Sequence, residues 1–269
     1  MKIEKEIFWN KHNVEKDLQI KEYTMQGKTP YGCKIPKEKL SLVRRHFNVV
    51  ADRYDLMNTL LSFGIHYYWK RIAVKALDLK KGDIVLDLCG GTGDLSVLVS
   101  KKVGAAGKVL LYDINLLMIK KGILRNVSSS ARPNIYHIKG DAERVSFHEN
   151  SFDAAVVGFG IRNLTYPEAG FREMHRVLKP GGKMVCLEFS QPTIPLFRHV
   201  YDLYSFYLMP LLGGLIVGSK SAYSYLTESI RMFPSPMELA EIMRRAGFGN
   251  IKYRRLTNGI AVVHRGVKQ

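Results

Sequence analysis

The chain has 269 residues, 46% of them hydrophobic and 24% charged, which excludes a disordered protein and is enough for a full domain core. Its 41 Lys and Arg against 24 Asp and Glu give a net charge of +17, which favours nucleic acid or acidic lipid headgroups as partners without choosing between them. Cys33, Cys89 and Cys186 show no Cys-x-x-Cys spacing, so neither a disulfide framework nor a zinc site is predicted, and a reduced, cytoplasmic setting fits best.

The first 79 residues divide into two regions. Residues 1–40 alternate charged and apolar side chains without a continuous apolar stretch, which predicts a polar extension and no secretory signal peptide. From residue 41 to residue 79, apolar residues recur at three- and four-residue spacing, so this region is predicted to be helical. We expect these helices to fold over the following domain as a lid.

Short apolar runs alternate with helical patterns between residues 80 and 190. The predicted strands are residues 84–89, 109–112, 134–139, 152–159 and 183–189. The predicted helices are residues 95–103, a helix beginning after 115, and residues 167–178, with a turn at 179–182. Alternating strands and helices predict a Rossmann-like α/β core with a mostly parallel sheet, and the near-continuous apolar strands indicate that both sheet faces are covered.

The remaining residues form an apolar helical insertion at 195–232 and a C-terminal helix and hairpin at 235–266. Residues 203–219 carry no charge, but this run is shorter than the ~20 residues of a membrane span. Pro210 and the pair Gly213-Gly214 are also expected to interrupt it, so no transmembrane helix is predicted. A helix over an apolar pocket, a helix resting on a bilayer and a core helix remain open. Asn258-Gly259 predicts a tight hairpin turn, which would end the seven-stranded sheet with an antiparallel pair.

The first predicted strand ends in a glycine-rich turn, Gly90-Gly91-Thr92-Gly93, directly before a helix. Ligands of open α/β sheets bind at this end of the strands, and glycine lets them approach the backbone. Asp113 ends the second strand, where its carboxylate can accept hydrogen bonds from both ribose hydroxyls of a nucleoside. Asp141 and Ala142 follow the third strand, where the carboxylate could accept from the exocyclic amine of adenine and the backbone N–H could donate to a ring nitrogen.

The residues after the turn indicate which nucleoside binds. A dinucleotide site requires a third glycine near the pyrophosphate, whereas Asp94 follows Gly93 and places a negative charge there. No Gly-Lys-Ser/Thr follows, so the turn is not a Walker phosphate loop. S-adenosylmethionine (SAM) has no phosphate and carries an amino group and a sulfonium, which acidic residues suit. Gly91, Thr92, Gly93, Asp113, Asp141 and Ala142 are therefore predicted to bind SAM.

Three further motifs are characteristic: YDLMN at 54–58 with SFGIH at 62–66, FGIRN at 159–163, and RVLKPGG at 176–182 leading to LEFS at 187–190. Over residues 42–266 the chain resembles the UbiE/MenG-type C-methyltransferases of ubiquinone and menaquinone biosynthesis. The resemblance implies a class I SAM-dependent methyltransferase that methylates a ring carbon of a polyprenylated quinol, such as demethylmenaquinol or the ubiquinol precursor. It places cofactor contacts on Thr92, Asp113, Asp141 and Ala142, and a serine usual in the family is Gly158 here.

Methylation of a quinol carbon requires an electron-rich ring, a methyl group in line with it and removal of a proton. Arg162 and Asn163 follow the fourth strand, where the methyl group should point. We predict that Arg162 stabilises the phenolate, directly or through a water, and that Asn163 orients the ring; a structural ion pair for Arg162 remains open. His66 is a candidate proton acceptor, with helix capping or packing as the alternative. The histidine spacing predicts no metal site.

Nucleic-acid methyltransferases share this fold and would suit the basic charge, but their Asn/Asp-Pro-Pro-aromatic segment is replaced here by residues 158–161, GFGI. No nucleic-acid partner is therefore expected, and methylation of another lipophilic or phenolic molecule is the main alternative. A binding module without turnover is the non-enzymatic alternative. The basic surface and apolar insertion predict a cytoplasmic enzyme in peripheral contact with the inner face of an anionic membrane. The oligomeric state, a homodimer included, stays open.

Overall fold

A computed structural model describes residues 36–128 and 134–269. The helices are α1 (Pro36–Val50), α2 (Tyr54–Leu61), α3 (Ile65–Leu77), α4 (Asp94–Val103), α5 (Leu116–Ser128), α6 (Pro167–Val177), α7 (Pro195–Leu203), α8 (Met209–Val217), α9 (Lys220–Met232) and α10 (Pro236–Arg245). The strands are β1 (Ile84–Leu88), β2 (Lys108–Asp113), β3 (Ile135–Lys139), β4 (Phe152–Gly158), β5 (Leu178–Phe189), β6 (Phe248–Leu256) and β7 (Ala261–Lys268).

All seven strands belong to one sheet with the order β3-β2-β1-β4-β5-β7-β6. Strands β1 to β5 pair in parallel, and β7 runs antiparallel to both β5 and β6. The predicted parallel sheet with a closing antiparallel hairpin is therefore confirmed. The strand order reverses between the neighbours β1 and β4, and the carboxyl ends of strands at such a point are where ligands of open α/β sheets bind.

Helices cover both faces of the sheet. On one face α3 and α4 bury Trp69 and Val99 against the strands, and on the other α6 and α10 bury Phe171 and Met243. The central strands are buried almost throughout, which explains their continuous apolar sequence. Helix α10 begins with a capping box between Ser235 and Glu238, which satisfies two backbone N–H groups at its start.

Residues 1–35 of the predicted N-terminal extension lie outside the described residues. Helix α1 begins at Pro36, ahead of the predicted start at 41, because the fixed φ and missing N–H of proline suit the first turn of a helix. The predicted helical region is three helices, separated by a 3-10 turn at Ala51–Arg53 and a loop at residues 62–64. Of these, α3 packs on β4 and β5, so it covers the sheet, while α1 contacts α5 and α9.

The predicted turn at residues 179–182 is wrong, whereas the predicted hairpin is present with a longer turn. Residues 179–182 lie within β5, because Gly181 adopts a φ of 77° and the strand absorbs the extra residues as an irregularity opposite β4. The hairpin turn is longer than Asn258-Gly259 alone, since the 3-10 turn Thr257–Gly259 connects β6 to β7. The hydroxyl oxygen of Thr257 accepts a hydrogen bond of 2.8 Å from the indole N–H of Trp69, which fixes the longer turn against α3.

The apolar insertion also differs from its prediction. Helix α7, a π turn at Tyr204–Leu208 and α8 follow one another without a break, and we call this 23-residue element the insertion helix. Pro210 and the two glycines do not interrupt it, because the π turn just before Pro210 absorbs the missing backbone hydrogen bond. By length and composition alone the insertion helix could cross a membrane, and only 17% of its most apolar stretch is buried in the fold.

Candidate functional site

The carboxyl ends of β1 to β4 surround a cavity of about 240 Å³, which we call the strand-end cavity. Four of the six residues predicted to bind the cofactor line it: Gly91, Asp113, Asp141 and Ala142. Thr92 and Gly93 are not part of its lining. Cys89 and Phe159, which follow β1 and β4, both adopt a positive φ and also line it. Such backbone strain in residues other than glycine is concentrated at functional sites.

The Asp113 carboxylate holds the glycine-rich turn in place. Its Oδ2 accepts a hydrogen bond of 2.9 Å from the N–H of Gly91, and its Oδ1 accepts one of 2.7 Å from the N–H of Asn115. Burial raises the pKa of Asp113, and these backbone donors oppose the shift. Gly91 and Gly93 have φ values of 56° and 85°, a conformation that glycine adopts without strain. The acid at the end of β2 therefore fixes the turn at the end of β1.

Thr92 contacts the lid in this structure. Its hydroxyl donates a hydrogen bond of 2.7 Å to Oδ1 of Asp55 on α2. The guanidinium of Arg125 donates to Oδ2 of Asp55 and to Oδ1 of Asp94, each at 2.6 Å, and it also donates to the Thr92 carbonyl. This network ties α2 to the start of α4 and to the glycine-rich turn. A cofactor contact by Thr92 stays a prediction.

The charges lining the strand-end cavity suit a cationic ligand. Three carboxylates, those of Asp113, Asp141 and Glu143, line it together with one guanidinium, that of Arg44. A pyrophosphate would be repelled by this set, whereas a sulfonium or an amino group would be attracted. The residues present therefore fit SAM.

Gly158, at the position where the resemblance implies a serine, also lines the strand-end cavity. A Cβ built on Gly158 would lie 2.5 Å from Cδ1 of Leu95. The Leu95 side chain therefore occupies the space that a serine side chain would need.

A second cavity of about 410 Å³, which we call the lid cavity, lies between the lid helices, the insertion helix and α9. All three residues predicted to be catalytic, His66, Arg162 and Asn163, line it. Both cavities share four lining residues: Phe47, Tyr54, Phe159 and Asn163. A ligand in one cavity is therefore a direct neighbour of a ligand in the other.

The Arg162 guanidinium forms a buried ion pair with Glu188 at the end of β5. Its Nη1 lies 2.6 and 3.1 Å from the two carboxylate oxygens of Glu188 and donates a further bond of 2.6 Å to the Phe159 carbonyl. Burial raises the pKa of Glu188 to about 7, and the guanidinium opposes the shift. The ion pair that the sequence left open is thus present, and it fixes Arg162 at the wall of the lid cavity.

Asn163 and His66 are held by weaker contacts. Oδ1 of Asn163 accepts from the hydroxyl of Tyr225 at 3.4 Å. Nε2 of His66 lies 3.3 Å from the Thr59 hydroxyl, while its buried Nδ1 has no partner within residues 36–128 and 134–269. Burial lowers the pKa of His66 to about 4, and Lys70 acts in the same direction. His66 is therefore neutral at pH 7 and a weaker base than an unperturbed histidine.

Sequence reasoning missed the aromatic walls of the lid cavity and the partner of Arg162. The cavity is lined by aromatic side chains from the lid, β5, the insertion helix and α9: Phe47, Tyr54, Phe63, Trp69, Phe189, Phe197, Tyr201, Tyr204, Tyr223 and Tyr225. Their spacing is that of ordinary core residues, so the pattern gave no separate signal. Glu188 did give a signal in the sequence, because a buried carboxylate at the end of an apolar strand needs a partner. In the described part of the chain, no group of three His, Cys, Asp or Glu side chains is placed to hold a metal ion.

Solved structures with this fold include a SAM-dependent methyltransferase from Aquifex aeolicus, with a TM-score of 0.56 and 18% identity over 74% of this chain and 89% of that one. A phosphoethanolamine N-methyltransferase from Haemonchus contortus matches with a TM-score of 0.54 and 16% identity over 77% of this chain and 57% of that one. At this low identity the likeness shows the fold alone, which is that of class I SAM-dependent methyltransferases.

Proteins related by sequence have a much higher identity to this chain than these solved structures. The ubiquinone/menaquinone biosynthesis C-methyltransferase UbiE of Methylococcus capsulatus is 46% identical over 86% of this chain and 93% of its own length. The UbiE proteins of Pseudomonas fluorescens and Escherichia fergusonii are 46% and 44% identical over 89% and 86% of this chain, and over 94% and 92% of their own lengths. Residues 34–268 also match the family profile. With the glycine-rich turn and both cavities inside that match, the chain belongs to the ubiE/COQ5 methyltransferase family.

Proposed function

We propose that this chain transfers a methyl group from SAM to a ring carbon of a polyprenylated quinol, which is demethylmenaquinol, the ubiquinol precursor or both. The observation that carries the proposal is the contact between the two cavities through four shared residues. An acidic cavity at the switch point of the sheet suits a cationic methyl donor, and an adjoining aromatic cavity suits a lipophilic ring. Membership of the ubiE/COQ5 family supports this assignment.

In the strand-end cavity the protein orients the cofactor. Both Asp113 oxygens accept backbone N–H groups, but an ionised carboxylate has about four acceptor sites, so it can also accept from the ribose hydroxyls. Asp141 and the Ala142 N–H would bind the adenine, and the turn at Gly91 leaves room beside the backbone. When bound, SAM supplies an electrophilic methyl group. The shared residues Tyr54 and Phe159 lie where that methyl group would meet the acceptor.

In the lid cavity the protein lowers the barrier by charge and position. The Arg162 guanidinium, fixed by Glu188, stabilises the quinol oxygen after its hydroxyl proton has passed to solvent, and this deprotonation increases the electron density of the ring. Asn163, which lines both cavities, orients the ring toward the methyl donor. His66, which lines the lid cavity, is the side chain we assign to accept the proton that the ring carbon releases, although its lowered pKa makes it a weak base.

The substrate of this reaction is embedded in lipid, and the net charge of +17 favours an anionic surface. We therefore place the enzyme in the cytoplasm, in peripheral contact with the inner face of the membrane. Methyl transfer from isotopically labelled SAM to demethylmenaquinol and to the ubiquinol precursor, followed by mass spectrometry, tests the proposal. We expect label on a ring carbon of at least one quinol. With a simple phenol and RNA as additional acceptors, label only on the phenol would assign the alternative substrate class, and label only on RNA would reject a quinol methyltransferase.

A further inference from the structure

The insertion helix presents its apolar side chains to solvent. Six exposed residues recur at three- and four-residue spacing along one side of the helix and form what we call the outer stripe: Leu196, Val200, Leu203, Tyr207, Leu211 and Leu215. A helix on the surface of a soluble domain normally buries such a stripe. An exposed apolar surface of this length marks a site of contact with a lipid or a protein partner.

The opposite side of the insertion helix is bound to the domain. The Thr227 hydroxyl on α9 donates a hydrogen bond of 2.7 Å to the Ser205 carbonyl, and Asp202 forms an ion pair with Arg231. Gly213 packs directly against the ring of Tyr223, leaving no room for a side chain. These contacts run along the helix, so it lies on α9 and does not cross a membrane as a free span. The outer stripe remains available to lipid.

The lining of the lid cavity reaches the outer stripe. Phe63, in the loop between α2 and α3, is 80% exposed and lines this cavity. Its ring centroid lies 6.3 Å from that of Tyr204 in the insertion helix, so the loop and the insertion helix meet at this end of the cavity. Val200 belongs both to the stripe and to the cavity lining. An apolar path therefore connects the surface of the stripe with the aromatic walls of the cavity.

The charges around the stripe identify the partner as an anionic surface. Exposed Arg198 lies near the start of the insertion helix, and exposed Lys220 follows its end. Between residues 190 and 220 the only carboxylate is Asp202, which Arg231 neutralises. A second copy of the chain on this stripe would place basic ends against basic ends in either orientation, whereas anionic headgroups complement both ends.

We propose that the outer stripe inserts among the lipids of an anionic bilayer, and that the gap between Phe63 and Val200 is the path by which the prenyl chain of the substrate reaches the lid cavity. The first part rests on the surface alone. The second part rests on the proposed function, because it requires a prenylated acceptor. The ring then reaches the shared residues Tyr54 and Asn163 while its tail remains in the bilayer.

Flotation with phosphatidylglycerol vesicles tests the surface without substrate or SAM. The variant combines Leu203→Glu and Leu215→Glu, whose side chains are 63% and 75% exposed and do not line the cavity. Met237→Glu, at a residue 66% exposed on α10, is the matched control. We expect the unaltered protein and the control to bind alike, and the double variant to bind at least about 100-fold more weakly, because each buried leucine contributes tenfold or more. Equal vesicle binding by all three proteins would overturn the proposal, as would a dimer that the double variant converts to a monomer.

Methyl transfer to two acceptors tests the path. One acceptor is a short-chain, water-soluble quinol, and the other is a long-chain quinol in the same vesicles. We expect the double variant to retain its rate on the soluble quinol and to lose at least about tenfold on the embedded one. Equal losses on both acceptors, or no loss on either, would reject the path. If the unaltered protein methylates neither quinol, the proposed function fails, while the vesicle measurement still decides whether the stripe binds lipid.

Discussion

Replacing Glu188 with leucine would leave the Arg162 guanidinium inside the fold without its carboxylate. Glu188 is 1% exposed and Arg162 is 8% exposed, and they form a close ion pair. Removing one partner of a buried pair costs about 3–5 kcal/mol, and arginine cannot escape this cost by losing its proton. We therefore expect Glu188→Leu to lower the free energy of unfolding by about 3–5 kcal/mol, with little dependence on pH in the neutral range.

Arg162→Met leaves a buried carboxyl instead, and a carboxyl can be protonated. The pKa of Glu188 is already about 7 beside the guanidinium, and loss of that positive charge raises it further. Between the unfolded pKa of about 4.3 and this raised value, the native state binds more protons than the unfolded state. The free energy of unfolding of Arg162→Met should therefore increase as the pH falls, by up to about 1.4 kcal/mol per pH unit.

Urea unfolding of both variants at several pH values, followed by circular dichroism, measures these free energies. The control combines Arg162→Met with Glu188→Leu, which leaves no charge behind, and should lie within about 1 kcal/mol of the unaltered protein or above it. A loss below about 1 kcal/mol for Glu188→Leu, the range of an exposed ion pair, would refute the reasoning from burial. Identical pH profiles for the two single variants would refute the protonation of Glu188.

Two other substitutions test separate parts of the site, and a third tests the core of the fold. Asp113→Ala should weaken SAM binding at least about tenfold, since a hydrogen bond to a charged acceptor contributes about 1.5–3 kcal/mol; an unchanged Kd by calorimetry would remove Asp113 from the cofactor site. Arg125→Met frees α2 from α4, so SAM should dissociate faster in stopped-flow measurements, and an unaltered dissociation rate would show that the network does not hold the lid. Burial lowers the pKa of His264 to about 4. Neutral, buried His264 therefore makes its full contribution to the free energy of unfolding above the unfolded pKa of about 6.5. This contribution is lost as the pH falls toward about 4, by up to about 1.4 kcal/mol per pH unit. His264→Asn should reduce this acid destabilisation, and an equal slope of stability against pH in both proteins would contradict the assignment.

The fold and the cofactor loop could be predicted because their signals are local. Strands predicted at residues 84–89 and 152–159 are observed as β1 and β4, since a buried parallel strand is a continuous apolar run between helices. The glycine-rich turn and Asp113 lie at the ends of neighbouring strands, so the strand order alone brings them together. The fold class and the family predicted from the motifs are both confirmed.

Contacts between distant segments could not be predicted in this way. Glu188 lies on a different strand from Arg162, and only the packed sheet shows that their side chains meet. The network of Asp55, Thr92 and Arg125 joins three elements whose sequences give no sign of contact. The break in the insertion helix that Pro210 predicted is not observed. The π turn that absorbs the proline could not be foreseen, because it has no recognisable sequence pattern of its own.

The central claim is that this site methylates the ring of a lipid-soluble quinol. Expression of the chain in bacteria that lack their own quinone C-methyltransferase, followed by mass analysis of the extracted quinones, measures this activity in a membrane that supplies the substrate. We predict that methylated menaquinone, methylated ubiquinone or both reappear, and that Asp113→Ala and Arg162→Met reduce their amounts. Full-length protein at normal abundance, with only demethylated quinones in the membrane, would contradict the account.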